Sequence, residues 1–96
     1  MPGLWRWIRA RFAAKRANSG IRVVVYTRAN CPLCDQAAAF LDAEQQRYGF
    51  VLEWVNIAGD ADLTERYGEW IPVVEVDGTV RFRGQINPIL WRRLMR

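Results

Sequence analysis

The spacing of apolar residues changes several times along the chain, and each change marks an element. Leu4, Trp5, Ile8 and Phe12 recur at helical spacing among arginines, which predicts a short basic amphipathic helix over residues 4–17 ending near Asn18-Ser19-Gly20. From Ile21 the pattern becomes a β-branched run, Val23-Val24-Val25-Tyr26-Thr27, whose continuous apolarity predicts a central parallel strand covered on both faces. Cys31-Pro32 then opens a helix, because proline is tolerated at the first helical position and Ala37-Ala38-Ala39-Phe40-Leu41 has strong helix preference. Gly49 ends it.

Val51 to Ile57 form a second β-rich run, and a strand, helix and strand in this order predict a right-handed crossover and a parallel pair. Asp60 caps a short helix through Leu63 and Tyr67 that stops at Gly68, after which Pro72-Val73-Val74-Glu75-Val76 reads as a strand. Asp77-Gly78 is a two-residue hairpin signal that leads into Thr79 to Arg83. Asn87-Pro88 starts a last helix carrying Ile89, Leu90 and Leu94. The reading is an α/β domain of order βαβαββα over residues 21–96, preceded by a basic arm over residues 1–20.

Composition narrows the chemistry. A chain of 96 residues, 51% hydrophobic, supports one modest core. It contains no histidine, which removes the usual general base and the commonest metal ligand. The formal charge is +4, yet Arg6, Arg9, Arg11, Lys15 and Arg16 all fall in the first sixteen residues, where no acid occurs. From Ala17 onward nine basic side chains face ten acidic ones, so the body carries no basic stripe and no nucleic-acid partner is expected. No run approaches the ~18 apolar residues of a membrane span.

Two cysteines remain, Cys31 and Cys34, at the junction of a strand and a helix. A thiol there faces unpaired backbone N–H groups and the positive end of the helix macrodipole, which favour the thiolate. Such thiols have pKa values roughly between 3.5 and 7.5 instead of about 8.5. Spacing of i and i+3 places both sulfurs on one face of the first turn, so Cys31 is the expected nucleophile and Cys34 the resolving thiol. A zinc site would need four ligands, and with no second cysteine pair and no histidine none is expected. The competing reading is a pair of inert buried cysteines.

Residues 21–96 resemble a glutaredoxin-like member of the thioredoxin superfamily. The features that carry the likeness are the Val-Val-Tyr-Thr strand with Arg28 three residues before Cys31, the Cys31-Pro32-Leu33-Cys34 pair, Tyr67-Gly68 leading to Ile71-Pro72-Val73-Val74, and the Asp77-Gly78 hairpin. The resemblance implies a thioredoxin-like fold, with a mixed four-stranded sheet flanked by helices. It implies that Ile71-Pro72 is a cis-proline element beside the sulfurs whose backbone pairs with incoming peptide or glutathione, and that Arg28 stands near the thiolate; the alternative for Arg28 is a solvated surface arginine. Pro32 and the Gly84-Gln85 stretch complete the substrate-binding set the resemblance implies. Leu33 stands where dithiol glutaredoxins tend to have tyrosine, and Gly84-Gln85-Ile86-Asn87 keeps one glycine of their Gly-Gly pair and lacks the following acid. Thioredoxin's own signature is absent, since Asn30 and not tryptophan precedes Cys31.

The function so implied is reduction of a protein disulfide or a glutathione mixed disulfide, in a cytoplasmic monomer with no tightly bound cofactor and glutathione as co-substrate. Two alternatives stand beside it: a module in which Cys31 and glutathione bridge an iron–sulfur cluster, and a redox-inactive adaptor. The arm over residues 4–17 suits an anionic membrane surface; an Arg-rich presequence and simple packing on the domain are the other readings. Trp54, Trp70 and Trp91 are expected as core or rim aromatics, with Trp70 beside Ile71-Pro72 a candidate wall of the substrate groove.

Overall fold

The structure, a computed structural model, describes residues 20–96. The helix expected over residues 4–17 lies outside the described residues. Seven elements follow: β1 (Arg22–Thr27), α1 (Pro32–Tyr48), β2 (Val51–Asn56), α2 (Ala61–Tyr67), β3 (Val73–Val76), β4 (Thr79–Arg83) and α3 (Pro88–Leu94). The sheet order is β2-β1-β3-β4, with β1 and β2 parallel and the other two pairs antiparallel.

Local chemistry explains the boundaries. Cys31 caps α1, Pro32 fills its first turn, and Gly49 closes it at φ 74°, a left-handed conformation that glycine adopts without a Cβ penalty. Asp60 caps α2 through the Leu63 N–H at 3.0 Å. Asn87 caps α3 by accepting from the N–H groups of Ile89 and Leu90. Gly68 departs from the usual stop, since it stays right-handed at φ −55°. A Cβ there would sit 2.5 Å from the Thr64 carbonyl oxygen, so close approach of backbone is what the position requires.

The two faces of the sheet are not equally covered, which corrects the expectation for β1. Val23 and Val25 are fully buried under α1 and α3, in one cluster with Leu41, Phe50, Val74, Phe82, Trp91 and Met95. Val24 and Tyr26, which alternate to the opposite face, are only half-buried. The cause is length: α2 has 7 residues and spans about 10 Å, enough to lay Tyr67 on Tyr26 (ring centroids 4.7 Å apart). A second departure lies in α3. Trp91 and Met95, one turn apart, are its buried stripe, whereas Ile89 and Leu90 are exposed and Leu94 half-buried. No described helix is long and apolar enough to cross a membrane.

Candidate active site

β1 delivers the chain at Thr27 into the loop Arg28-Ala29-Asn30, and Asn30 turns it into α1 with a positive φ of 60°. Asparagine tolerates this region better than most residues. Cys31 follows in an extended conformation (φ −123°, ψ 100°) as the N-cap, and its Sγ accepts from the Cys34 N–H at 3.1 Å. A short polar side chain usually fills this position; here a sulfur does. The same N–H group and the macrodipole of a 17-residue helix are therefore directed at Cys31 Sγ.

Cys31 and Cys34 are joined as a disulfide, with Cα atoms 5.1 Å apart. Their environments differ. Cys31 is partly exposed, whereas Cys34 is 5% exposed and packs inside the first turn. Attack from outside reaches Cys31 more readily than Cys34, an order of access that suits a nucleophile backed by a resolving thiol.

The remaining residues expected at the site fall into two groups. On one flank, Arg28, Asn30, Cys34, Asp35, Asp42 and Trp54 line a hollow of about 360 Å³. The spacing 34, 38, 42 makes this one face of α1, and Ala38 leaves it room. Arg28 is exposed and lines this hollow together with Cys34. On the other side of β1, Val73 pairs with Tyr26, so Ile71 and Pro72 sit at the same end of the sheet as the loop that carries Cys31. The Ile71-Pro72 peptide bond is cis. Pro72 is buried, and its carbonyl accepts from the Gly84 N–H at 2.9 Å; the same N–H also reaches the Trp70 carbonyl at 3.0 Å. Gly84 has φ 82°, which only glycine holds cheaply, and this turn fastens the end of β4 to the Ile71-Pro72 segment. Between the two held carbonyls, no hydrogen bond engages the backbone N–H or C=O of Ile71 among the described residues. Gln85 is exposed, and its N–H donates to the Arg83 carbonyl.

Pro32 is the exposed first residue of α1 and Leu33, between the cysteines, is 36% exposed. Trp70, beside Ile71-Pro72, is 54% exposed, while Trp91 is fully buried and Trp54 half-buried. Among the described residues no group of three or more histidine, cysteine or carboxylate side chains is placed to hold a metal.

Glu44 carries no mark in the expectations from sequence, and Asn30 enters them only as the residue that stands where thioredoxin has tryptophan. Asn30 carries its signal in residue type, since asparagine before a helix-opening cysteine is a natural left-handed turn. Glu44 carried one as well, because an acid in the stripe Ala37, Leu41, Glu44 falls on the buried face of α1.

A mixed sheet of order β2-β1-β3-β4, with two helices on one face and a short one on the other and a dithiol at the N-terminus of α1, defines a thioredoxin-like protein with a Cys-x-x-Cys site. Residues 22–92 match the model of the Glutaredoxin-like domain (DUF836), and the chain belongs to that family. It is also similar to the solution NMR structure of protein Ne2328 from Nitrosomonas europaea, at 27% identity and a TM-score of 0.71, over 79% of this chain and 92% of that one. No curated protein matches the sequence.

Proposed function

We propose that this chain is a thiol–disulfide oxidoreductase that works through Cys31 and Cys34. The observation that carries the reading is the paired but unequal placement of the two sulfurs: Cys31, partly exposed, on the N-cap of α1 and Cys34, buried, within disulfide distance of it. In the reduced state the Cys31 thiolate attacks one sulfur of a substrate disulfide, forming a Cys31–substrate disulfide and releasing the other substrate sulfur as a thiolate. Cys34, deprotonated, then attacks Cys31 Sγ; the mixed disulfide breaks, the second substrate thiolate leaves, and Cys31–Cys34 closes. Two electrons have passed from protein to substrate, and a dithiol or two molecules of glutathione must return them.

Ile71, held by the Pro72 that follows it, offers its backbone N–H and C=O to the incoming chain, and Arg28 supplies positive charge at the dithiol. Gly84 and Gln85 border the substrate side, and Pro32 sets the first turn. The domain carries this chemistry within residues 21–96; the basic stretch over residues 4–17 serves as an attachment to an anionic membrane surface, worth about 1 kcal/mol for each basic residue near the headgroups.

Single-cysteine variants test the reading. Cys31→Ser is expected to abolish turnover of a model disulfide, and Cys34→Ser to accumulate a mixed disulfide at Cys31 visible by intact mass. Full activity in Cys31→Ser contradicts it.

A further inference from the structure

The last two elements are lopsided in charge and hydropathy. From Thr79 to Arg96 the chain holds Arg81, Arg83, Arg92, Arg93 and Arg96, all exposed, and no aspartate or glutamate. The one ion pair among the described residues, Arg22 with Glu53, lies elsewhere. On α3, Ile89 is 65% and Leu90 47% exposed, the first three residues before Arg92 and the second three before Arg93. Residues at i, i+3 and i+4 share a helix face, so two apolar side chains and two arginines lie together on the outside of α3, opposite buried Trp91 and Met95. Large apolar side chains grouped on a surface mark interaction sites more often than chance exposure does.

This surface opens at the same end of the sheet as the dithiol. Arg83 pairs with Val73 and Val73 with Tyr26, so β4 ends, and α3 begins, at the end of the sheet where β1 leads to Cys31. Trp91 meets Phe40 of α1 edge-on at 6.0 Å, and Leu33 heads the same stripe of α1 as Ala37 and Phe40. Of the five large apolar side chains exposed among the described residues, Leu33, Trp70, Ile89 and Leu90 belong to segments that open at this end; Val51 alone does not.

We infer that the outer face of α3 forms the docking surface for the redox partner, and that this partner is a protein whose disulfide is flanked by acidic and apolar residues. The inference rests on the exchange chemistry proposed above. Arg92 and Arg93, which make no ion pair among the described residues, complement an acidic partner and steer its approach, while Ile89 and Leu90 beside them, and Trp70 and Leu33 at the same end of the sheet, supply contacts that a small charged thiol such as glutathione does not need.

The test uses the full chain, reduced, against three disulfides: hydroxyethyl disulfide, an acidic peptide with leucine and phenylalanine beside a cysteine blocked as a mixed disulfide, and the same peptide with lysines for its acids. The acidic peptide is expected to react about tenfold faster than the basic one at low salt, the ratio falling toward one near 0.5 M salt as screening shortens to a few ångströms. Arg92→Glu combined with Arg93→Glu should erase or reverse that preference with the N-terminal arm still in place. Ile89→Ser with Leu90→Ser should slow both peptides several-fold. Both double variants should react with hydroxyethyl disulfide at the parent rate, which controls for folding.

Equal rates for the two peptides, or a preference that survives the charge reversal, overturns the docking surface while leaving the exchange chemistry intact. Charge reversal that removes binding to phosphatidylglycerol vesicles and leaves the peptide rates unchanged also overturns it, in favour of a lipid surface. A parent protein inert toward hydroxyethyl disulfide brings down the exchange reading itself, and the docking surface with it.

Discussion

The indole N–H of Trp91 donates to the carboxylate of Glu44 across a 3.0 Å hydrogen bond that joins α3 to α1 inside the core. Trp91 is fully buried and Glu44 only 5% exposed, so each is the means by which the other's polar atom is satisfied. The ring also meets Phe50 at 5.2 Å and Phe82 at 6.4 Å, which makes it the centre of the aromatic core.

Glu44→Gln keeps an acceptor oxygen and is expected to change stability little. Glu44→Ala leaves the buried indole N–H unpaired and should cost about 1–3 kcal/mol. Chemical denaturation of the two variants beside the parent checks this. Equal loss in both would mean that the hydrogen bond is not what links the helices.

Tyr26 gives a pH dependence. Burial raises its hydroxyl above the ordinary value of 10.0, and the neighbouring carboxylate of Glu75, to which it donates at 3.2 Å, raises it further. A group whose folded pKa is raised contributes stability that is fully present below its unfolded pKa and is lost as pH rises through the folded one. The denaturation midpoint should therefore fall as pH climbs past about 10, with a shallower fall in Tyr26→Phe. Parallel profiles for the two proteins contradict it.

Asn30 holds φ 60° immediately before the nucleophile. Asn30→Gly relieves the cost of that conformation and should preserve both stability and Cys31 reactivity. Asn30→Val places a β-branched residue where it is strained, and is expected to lose about 1–3 kcal/mol and to slow alkylation of Cys31. Thermal melts and iodoacetamide rates measure the two effects. Indistinguishable valine and glycine variants would show that the turn does not depend on the positive φ.

The elements were legible in the sequence because their ends are chemically marked. Cys31-Pro32, Asp60 and Asn87-Pro88 open the three described helices where capping groups predict, and Asp77-Gly78 makes the hairpin between β3 and β4. Depth of burial was less legible. The run from Val23 to Thr27 carries no sign that α2 is too short to cover its second face, and Ile89 and Leu90 look like the inner face of α3 until Trp91 and Met95 are seen to occupy it. At the site, the Cys31–Cys34 pair was legible from its own spacing, while the parts given to Arg28 and Pro72 rest on family resemblance. The double clasp of Gly84 on Trp70 and Pro72 was not, because it joins segments far apart in sequence whose meeting depends on strand register.

The most direct test of the central claim is an equilibrium titration of the Cys31–Cys34 pair against reduced and oxidised glutathione, read by thiol mass-labelling and tryptophan fluorescence on one sample. A reversible two-electron transition between about −270 and −120 mV, the span of known dithiol oxidoreductases, is the predicted result. A pair that remains two free thiols at every poise contradicts it.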